Sequence, residues 1–168
     1  NNQKLGAGIS RNIGIKNAKG ALVAFLDADD IWLPTKLDRQ INYMLKNNYK
    51  FTFTNYKKKY LKNKLIEVKT SKNILKYKDL INSCDIGLST VILKKSIIEK
   101  DLFPDLKTQE DYVAWLKITK NNIFAHNLNE TLVIWNEVPS SLSSNFFQKI
   151  YDAFQVYFKY EKFNFIKS

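Results

Sequence analysis

The run Ala21-Leu22-Val23-Ala24-Phe25-Leu26 passes without a break into Asp27-Ala28-Asp29-Asp30. An apolar run with no polar alternation predicts a strand buried on both faces, the middle of a parallel sheet in an α/β fold. The acids then fall at its carboxyl end, where open α/β sheets place ligand sites. Carboxylates two apart on an extended segment point to the same side and can share one divalent cation, directly or through water. Hard oxygen donors favour Mg²⁺ or Mn²⁺, ions that keep several waters and accept diphosphate oxygens as further ligands. The competing reading is a helix cap, with Asp29 or Asp30 closing the turn before Ile31-Trp32. Three carboxylates around one small residue repel one another unless something compensates them, which weighs against that reading.

The flanking pattern fits the same fold class. Upstream, a loop with Gly6 and Gly8, Ser10 as N-cap and Gly20 as stop predict a helix to about Ala18. Downstream, Pro34 suits a first helical turn, and Leu37, Ile41, Met44 and Leu45 give an apolar face to a helix over residues 34–47. Lys50 to Tyr56 alternates as a strand, followed by a basic turn over Lys57 to Lys64 and a strand at Leu65 to Val68. Further expectations are a short helix at Tyr77 to Asn82, a strand at Leu88 to Leu93, a helix around Ser96 to Lys100 and another from Gln109-Glu110-Asp111 to Lys120. Strands are expected at Ile123 to Ala125 and Thr131 to Trp135. Last, Phe147, Ile150, Tyr151, Phe154 and Phe158 share one face of a C-terminal helix, read as packing on the sheet.

The chain has 168 residues, enough for one domain with a real core, and begins at Asn1, so it reads as a piece of something longer. Its net charge of +11 comes from dispersed lysines and only two arginines, Arg11 and Arg39. Such a surface suits acidic lipid headgroups or anionic sugar nucleotides; nucleic-acid readers rely more on arginine clusters, so no nucleic acid is expected. One cysteine, Cys84, rules out an internal disulfide framework and agrees with a reducing compartment. His126 is the only histidine and has no metal-ligand spacing to another His or Cys.

Gly8-Ile9-Ser10-Arg11-Asn12 with Gly20, then Leu26-Asp27-Ala28-Asp29-Asp30-Ile31-Trp32-Leu33-Pro34 and Lys36-Leu37, resembles the family 2 glycosyltransferases of the GT-A fold. The resemblance implies a GT-A-like, Rossmann-like mixed and mainly parallel sheet flanked by helices, lacking its first β-α units. A partial catalytic domain would span 1–145, with the C-terminal amphipathic helix over 146–168. It implies a nucleotide-sugar site at Arg11, Asp27, Ala28 and Asp29, with Mg²⁺ or Mn²⁺ on Asp29 and Asp27. Glu110-Asp111 resembles the family's acidic pair, with Asp111 as the base and Glu110 positioning; the competing reading is first-turn acids favouring the helix dipole. Ser89 and Thr90, in Asp85 to Val91, resemble the acceptor side. Thr131 to Trp135 with Ser140 to Ser143 resembles a segment where relatives carry an arginine and a histidine; here Asn136 stands near the arginine position and no histidine follows.

The implied activity is metal-dependent, inverting sugar transfer from a nucleoside-diphosphate donor to a hydroxyl on a glycan or lipid-linked acceptor. Its setting would be bacterial surface polysaccharide or lipopolysaccharide synthesis, in the cytoplasm or peripherally on the inner face of the membrane, with activity of the fragment itself left open. Two other readings stand beside it: an Asp-nucleophile phosphohydrolase using Asp27, and a non-catalytic or decayed binding module.

Overall fold

Phe51 and Phe53 alternate with Thr52 and Thr54, and this strand is the centre around which the chain folds. The computed structural model describes residues 5–60, 64–137 and 146–162. In order, the elements are α1 (Ala7–Asn17), β1 (Leu22–Ala24), β2 (Ile31–Trp32), α2 (Lys36–Lys46), β3 (Phe51–Lys59), β4 (Leu65–Val68), β5 (Ile74–Leu75), α3 (Tyr77–Leu80), β6 (Ile92–Lys94), α4 (Glu110–Lys120), β7 (Ala125–Asn136) and α5 (Phe146–Gln155). Short 3-10 turns lie at Leu88–Thr90 and Lys95–Ile97, and a π-helical turn, Val156–Tyr160, continues α5.

The sheet runs β1-β6-β3-β7-β2, with β4 extending β3 and β5 pairing with β7. It is mixed, as expected, but its parallel share among the described strands is one pair, β3 with β7. The other pairings are antiparallel. Among the described strands β1 lies at the edge beside β6, not at the centre: Val23 and Phe25 turn to the core, while Ala24 and Leu26 stay exposed, Leu26 by 48%. A continuous apolar run cannot by itself distinguish a strand covered on both faces from an edge strand whose outer face is open.

Trp115 of α4 is fully buried and gathers Phe25, Phe51 and Phe103 around it, with ring centroids 6.2, 5.2 and 6.0 Å away. These rings join β1, β3 and α4 into one core, so the acids that follow β1 and those that begin α4 are fixed relative to each other.

Several elements differ from the sequence expectation. Ser10 lies inside α1, its hydroxyl donating to the Gly6 carbonyl at 2.7 Å, and the helix begins at Ala7. The buried face of α2 is Lys36, Gln40 and Met44, whereas Leu37 and Leu45 are exposed; polar anchoring to β3 wins over the apolar stripe. The stretch Leu88–Thr90 is a 3-10 turn before β6, and the two strands expected near Ile123 and Thr131 are one irregular strand, β7. Asn127 Nδ2 donates to Asn55 Oδ1 at 3.0 Å, and the Asn129 N–H to Asn127 Oδ1 at 2.8 Å, where Asn129 has φ 58° and the register shifts. The second bond satisfies a backbone N–H at the bulge, and the first holds the Asn127 side chain in place to accept it. The apolar face of α5 points outward, not onto the sheet. Ser140 to Ser143 lie outside the described residues, as does the side chain of Lys149.

α1 seats closely on the loop before α4. A Cβ at Gly8 would stand 2.3 Å from the Pro104 carbonyl oxygen, whereas one at Gly14 meets nothing within 4 Å. Gly8→Ala should therefore cost about 1–3 kcal/mol through overpacking, while Gly14→Ala should gain roughly 0.5–1 kcal/mol from helix propensity. Urea unfolding of the two variants would check the contrast.

Candidate functional site

Two stretches far apart in sequence meet through one side chain. From α1, Arg11 donates through one guanidinium nitrogen to Asp27 Oδ1 at 2.8 Å and through the other to Glu110 Oε1. The next residue, Asn12, latches the helix in place: its Nδ2 donates to the Phe103 carbonyl at 2.7 Å, and its Oδ1 accepts the Phe103 N–H at 3.0 Å. Burial would push the Arg11 pKa down, but Asp27 and Glu110 more than offset this and hold it above its usual value. Arg11 thus remains a fixed cation between the acidic turn and the acidic pair.

The turn after β1 is held on three sides. The Asp27 N–H donates to Ser89 Oγ at 3.0 Å, and Ser89 in turn donates to Asp30 Oδ2 at 2.6 Å. On the far side, the Asn136 N–H donates to Asp30 Oδ1 at 3.2 Å, and Asn136 Nδ2 donates to the Asp29 carbonyl. Asp30 is thereby a framing residue, its pKa raised to about 6, chiefly by burial and further by Asp27 and Asp29. Asp29 sits on the exposed tip beside exposed Ala28, and its carboxylate meets no cation or hydrogen-bond donor among the described residues.

The two hydroxyls read as the acceptor side are both buried. Ser89 serves the acidic turn, and Thr90 Oγ1 donates to the Gly87 carbonyl at 2.6 Å. Their carbonyls are fixed from below: Trp32 Nε1 donates to Ser89 O at 2.7 Å, and Gln40 Nε2 donates to Thr90 O at 2.9 Å. Lys36, one turn before Gln40, is fully buried with Nζ 4.1 Å from the Trp32 ring centroid and no hydrogen-bond partner among the described residues.

Glu110 and Asp111 open α4. The preceding Gln109 has φ 62°, a left-handed conformation, and Thr108 before it is clamped by Asp152 of α5. A non-glycine residue so placed costs of order 1 kcal/mol and persists only where its surroundings over-determine it. Burial, then the neighbouring Glu110 charge, raises the Asp111 pKa to about 7, with Arg11 pulling the other way. The structure thus gathers Arg11, Asp27, Glu110 and Asp111, with Asp29 at the rim.

Of the residues that support the site, Asp30, Trp32, Lys36 and Asn136 lie in or beside the sequence motifs without an assigned role, and Gln40 is not singled out by them. The i, i+4 spacing of Lys36 and Gln40 was a legible sign that this polar pair shares one helix face.

A metal would have to be completed by substrate oxygens. Among the described residues no group of three or more His, Cys, Asp or Glu side chains is arranged to hold an ion. Asp29, free at the rim, with Asp27 beside it, suits a cation that takes one or two carboxylates and fills its remaining positions with water and phosphate.

Residues 1–107 match the model of the family described as "Glycosyl transferase family 2". The chain belongs to that family. As a family 2 member it is 40% identical over 147 residues to the UDP-Glc:alpha-D-GlcNAc-diphosphoundecaprenol beta-1,3-glucosyltransferase WfgD of Escherichia coli, covering 86% of this chain and 57% of that protein. It is 31% identical over 167 residues to the putative teichuronic acid biosynthesis glycosyltransferase TuaG of Bacillus subtilis, covering 97% of this chain and 65% of that one. The chain therefore spans about three fifths of the length of these two relatives. Its GT-A fold is shared with S. aureus TarS solved in complex with UDP-GlcNAc, with a TM-score of 0.68, 20% identity, and coverage of 84% of this chain and 42% of that one.

The buried Lys36 amine yields a test. Burial lowers its pKa from 10.5 to about 7, so in that interval the unfolded chain binds more protons than the folded one. The penalty is complete below about pH 7 and is relieved as pH rises towards the ordinary lysine value. Lys36→Met should stabilise the fold by roughly 1–4 kcal/mol near about pH 6 and flatten the pH-dependent gain above about pH 7. Urea unfolding at stepped pH reads both effects, and an unchanged slope would mean that Nζ is hydrated in the folded chain.

Proposed function

We propose that this chain is the donor- and base-carrying part of an inverting glycosyltransferase. It would transfer a sugar from a nucleoside-diphosphate donor to a hydroxyl on a glycan or lipid-linked acceptor during bacterial surface polysaccharide assembly. The observation that carries the reading is the Arg11 bridge, which sets the Asp27-Asp29 turn and the Glu110-Asp111 pair against each other. The acceptor class is supported by the name of a relative that acts on a diphosphoundecaprenol-linked sugar. Family membership and the engagement of Asp27 by Arg11 favour transfer over a phosphoaspartate mechanism at Asp27.

In this reading Asp29, with Asp27, would hold Mg²⁺ or Mn²⁺, which when bound supplies positive charge to the departing diphosphate. Asp27 also has the neighbouring Arg11 charge to orient it, and Arg11 lowers the cost of gathering donor phosphates near so many carboxylates. Asp111 takes the proton of the attacking acceptor hydroxyl. One of its oxygens accepts the Tyr112 N–H at 2.8 Å, which fixes the carboxylate while the other oxygen can face the acceptor. Glu110, held by Arg11, positions the start of α4.

The raised Asp111 pKa sets the pH dependence. A base must be ionised to act, so kcat/KM of the full-length protein should rise with pH through about 7, the value to which burial and Glu110 push Asp111. Asp111→Asn should lower kcat by at least about 100-fold with donor binding largely kept, measured by turnover and by calorimetric titration with the donor; unchanged turnover would remove the assignment. Asp29→Ala should weaken Mn²⁺ binding, read by electron paramagnetic resonance without substrate, and abolish metal-dependent transfer.

A further inference from the structure

α5 is folded with its polar side inward. Asp152, 1% exposed, accepts the Thr108 N–H at 2.9 Å, the Thr108 hydroxyl at 2.7 Å and Gln148 Nε2 at 3.0 Å. The outward face carries Phe147, Ile150, Tyr151 and Phe154, exposed by 81, 53, 59 and 53%, and the Phe154 ring stacks on Phe158 at 4.0 Å. Water gains nothing from such an arrangement, because four large apolar side chains on one stripe remain hydrated while a carboxylate is buried.

Charge is sorted in the same sense. The two acids of this segment both turn inward: Asp152 as above, and Glu161, whose carboxylate accepts the Tyr77 hydroxyl and Lys120 Nζ, the latter at 2.9 Å. Lys159 and Lys162 are exposed. An apolar aromatic stripe flanked by outward cations, with its acids withdrawn, complements an anionic interface into which the rings can sink. A second copy of the chain is a poorer fit, since each copy carries a net charge of +11.

We propose that α5 is an interfacial helix that lies on the surface of an anionic lipid bilayer. The proposal deepens the reading of a lipid-linked acceptor and takes its purpose from it. Asp152 ties the helix to Thr108, two residues before Glu110, and Tyr112 and Tyr157 bring their hydroxyls within 3.4 Å. A helix bound to lipid would therefore hold the Glu110-Asp111 end of α4 next to the bilayer, where an acceptor diphosphate anchored in the membrane is presented.

Co-sedimentation with vesicles of phosphatidylglycerol and phosphatidylcholine, against vesicles of phosphatidylcholine alone, tests this directly. The chain should pellet with the anionic vesicles, release with rising salt, and bind neutral vesicles at least about tenfold more weakly. Phe147→Glu/Phe154→Glu, with retention of the fold checked by circular dichroism, should lose about tenfold or more of the binding. Lys159→Glu/Lys162→Glu should lose the preference for anionic lipid while keeping the fold. Equal binding to both vesicles, or full binding by the phenylalanine variant, would overturn the proposal. So would a concentration-dependent dimer in sedimentation equilibrium that the same variant abolishes. Asp29→Ala and Asp111→Asn should bind vesicles as the parent does; loss of transfer with vesicle binding intact would concern the transferase reading alone.

Discussion

Two acidic stretches, the turn of Asp27, Asp29 and Asp30 and the pair Glu110-Asp111, are joined through one guanidinium, and the site depends on that concentration of charge being tolerated. Arg11 is the cation that permits it, paired on one side with the turn after β1 and on the other with the start of α4. A lysine in its place would offer a point charge, not a planar fork able to serve two carboxylates in fixed directions. The fork is useful only if α1 is held in register, and the adjacent Asn12 does so by exchanging two hydrogen bonds with the Phe103 backbone. Phe103 itself packs against Phe25 and Trp115. Electrostatics at the site and aromatic packing in the core are thus one construction: the rings set where β1 and α4 end, and Arg11 makes that proximity affordable.

A second layer supports the first from below. The segment Ser89-Thr90 is a tight turn whose carbonyls accept from Trp32 and Gln40, and whose serine hydroxyl is spent on the acidic turn. Residues just after the acids therefore hold the loop that in turn holds the acids. Such a closed circuit explains why α2 buries Lys36 and Gln40 ahead of Leu37 and Leu45. The cost is visible in Lys36 Nζ and Gln40 Oε1, which lack hydrogen-bond partners among the described residues, and in the lowered pKa of the lysine. The nearby Trp32 ring offsets part of it.

Local signals survived translation into structure where they were strong. The apolar run ending in acid, the amphipathic α2 and the acidic start of α4 lie close to where period and end signals put them. What sequence could not supply was the identity of the neighbour. An apolar run says that something covers it, but not whether both faces are covered, and β1 proved to be an edge strand among the described residues with Leu26 open. Periodicity likewise finds the apolar stripe of α5 but not the direction it faces; that is decided by Asp152 meeting Thr108, a contact between residues 44 apart in sequence. The break expected between residues 125 and 131 failed for a related reason, since three asparagines from two strands satisfy the bulge that would otherwise have ended the ladder. At the site, Arg11, Asp27 and Glu110-Asp111 were readable because their motifs are contiguous. The supporting roles of Ser89, Trp32, Gln40 and Asn136 rest on hydrogen bonds between residues far apart in the chain, which a single sequence does not reveal.

The three aspartates after β1 illustrate how spacing becomes division of labour. The Asp30 N–H donates to the Asp27 carbonyl at 3.1 Å, closing a turn that points the three side chains apart. Asp27 goes to Arg11, Asp30 to Ser89 and the Asn136 backbone, and Asp29 is left at the tip. Three free carboxylates at this density would repel one another, and one of them would take up a proton. Instead the frame absorbs the strain unequally: Asp30, half-buried with two donors, has its pKa raised to about 6 by desolvation that those donors only partly offset. Asp29 stays exposed at the tip, where no hydrogen-bond donor among the described residues meets its carboxylate. An exposed carboxylate at the rim, beside an Asp27 that Arg11 orients, would offer hard oxygen ligands without closing a metal cage around the ion, leaving the remaining coordination positions to water and an incoming diphosphate.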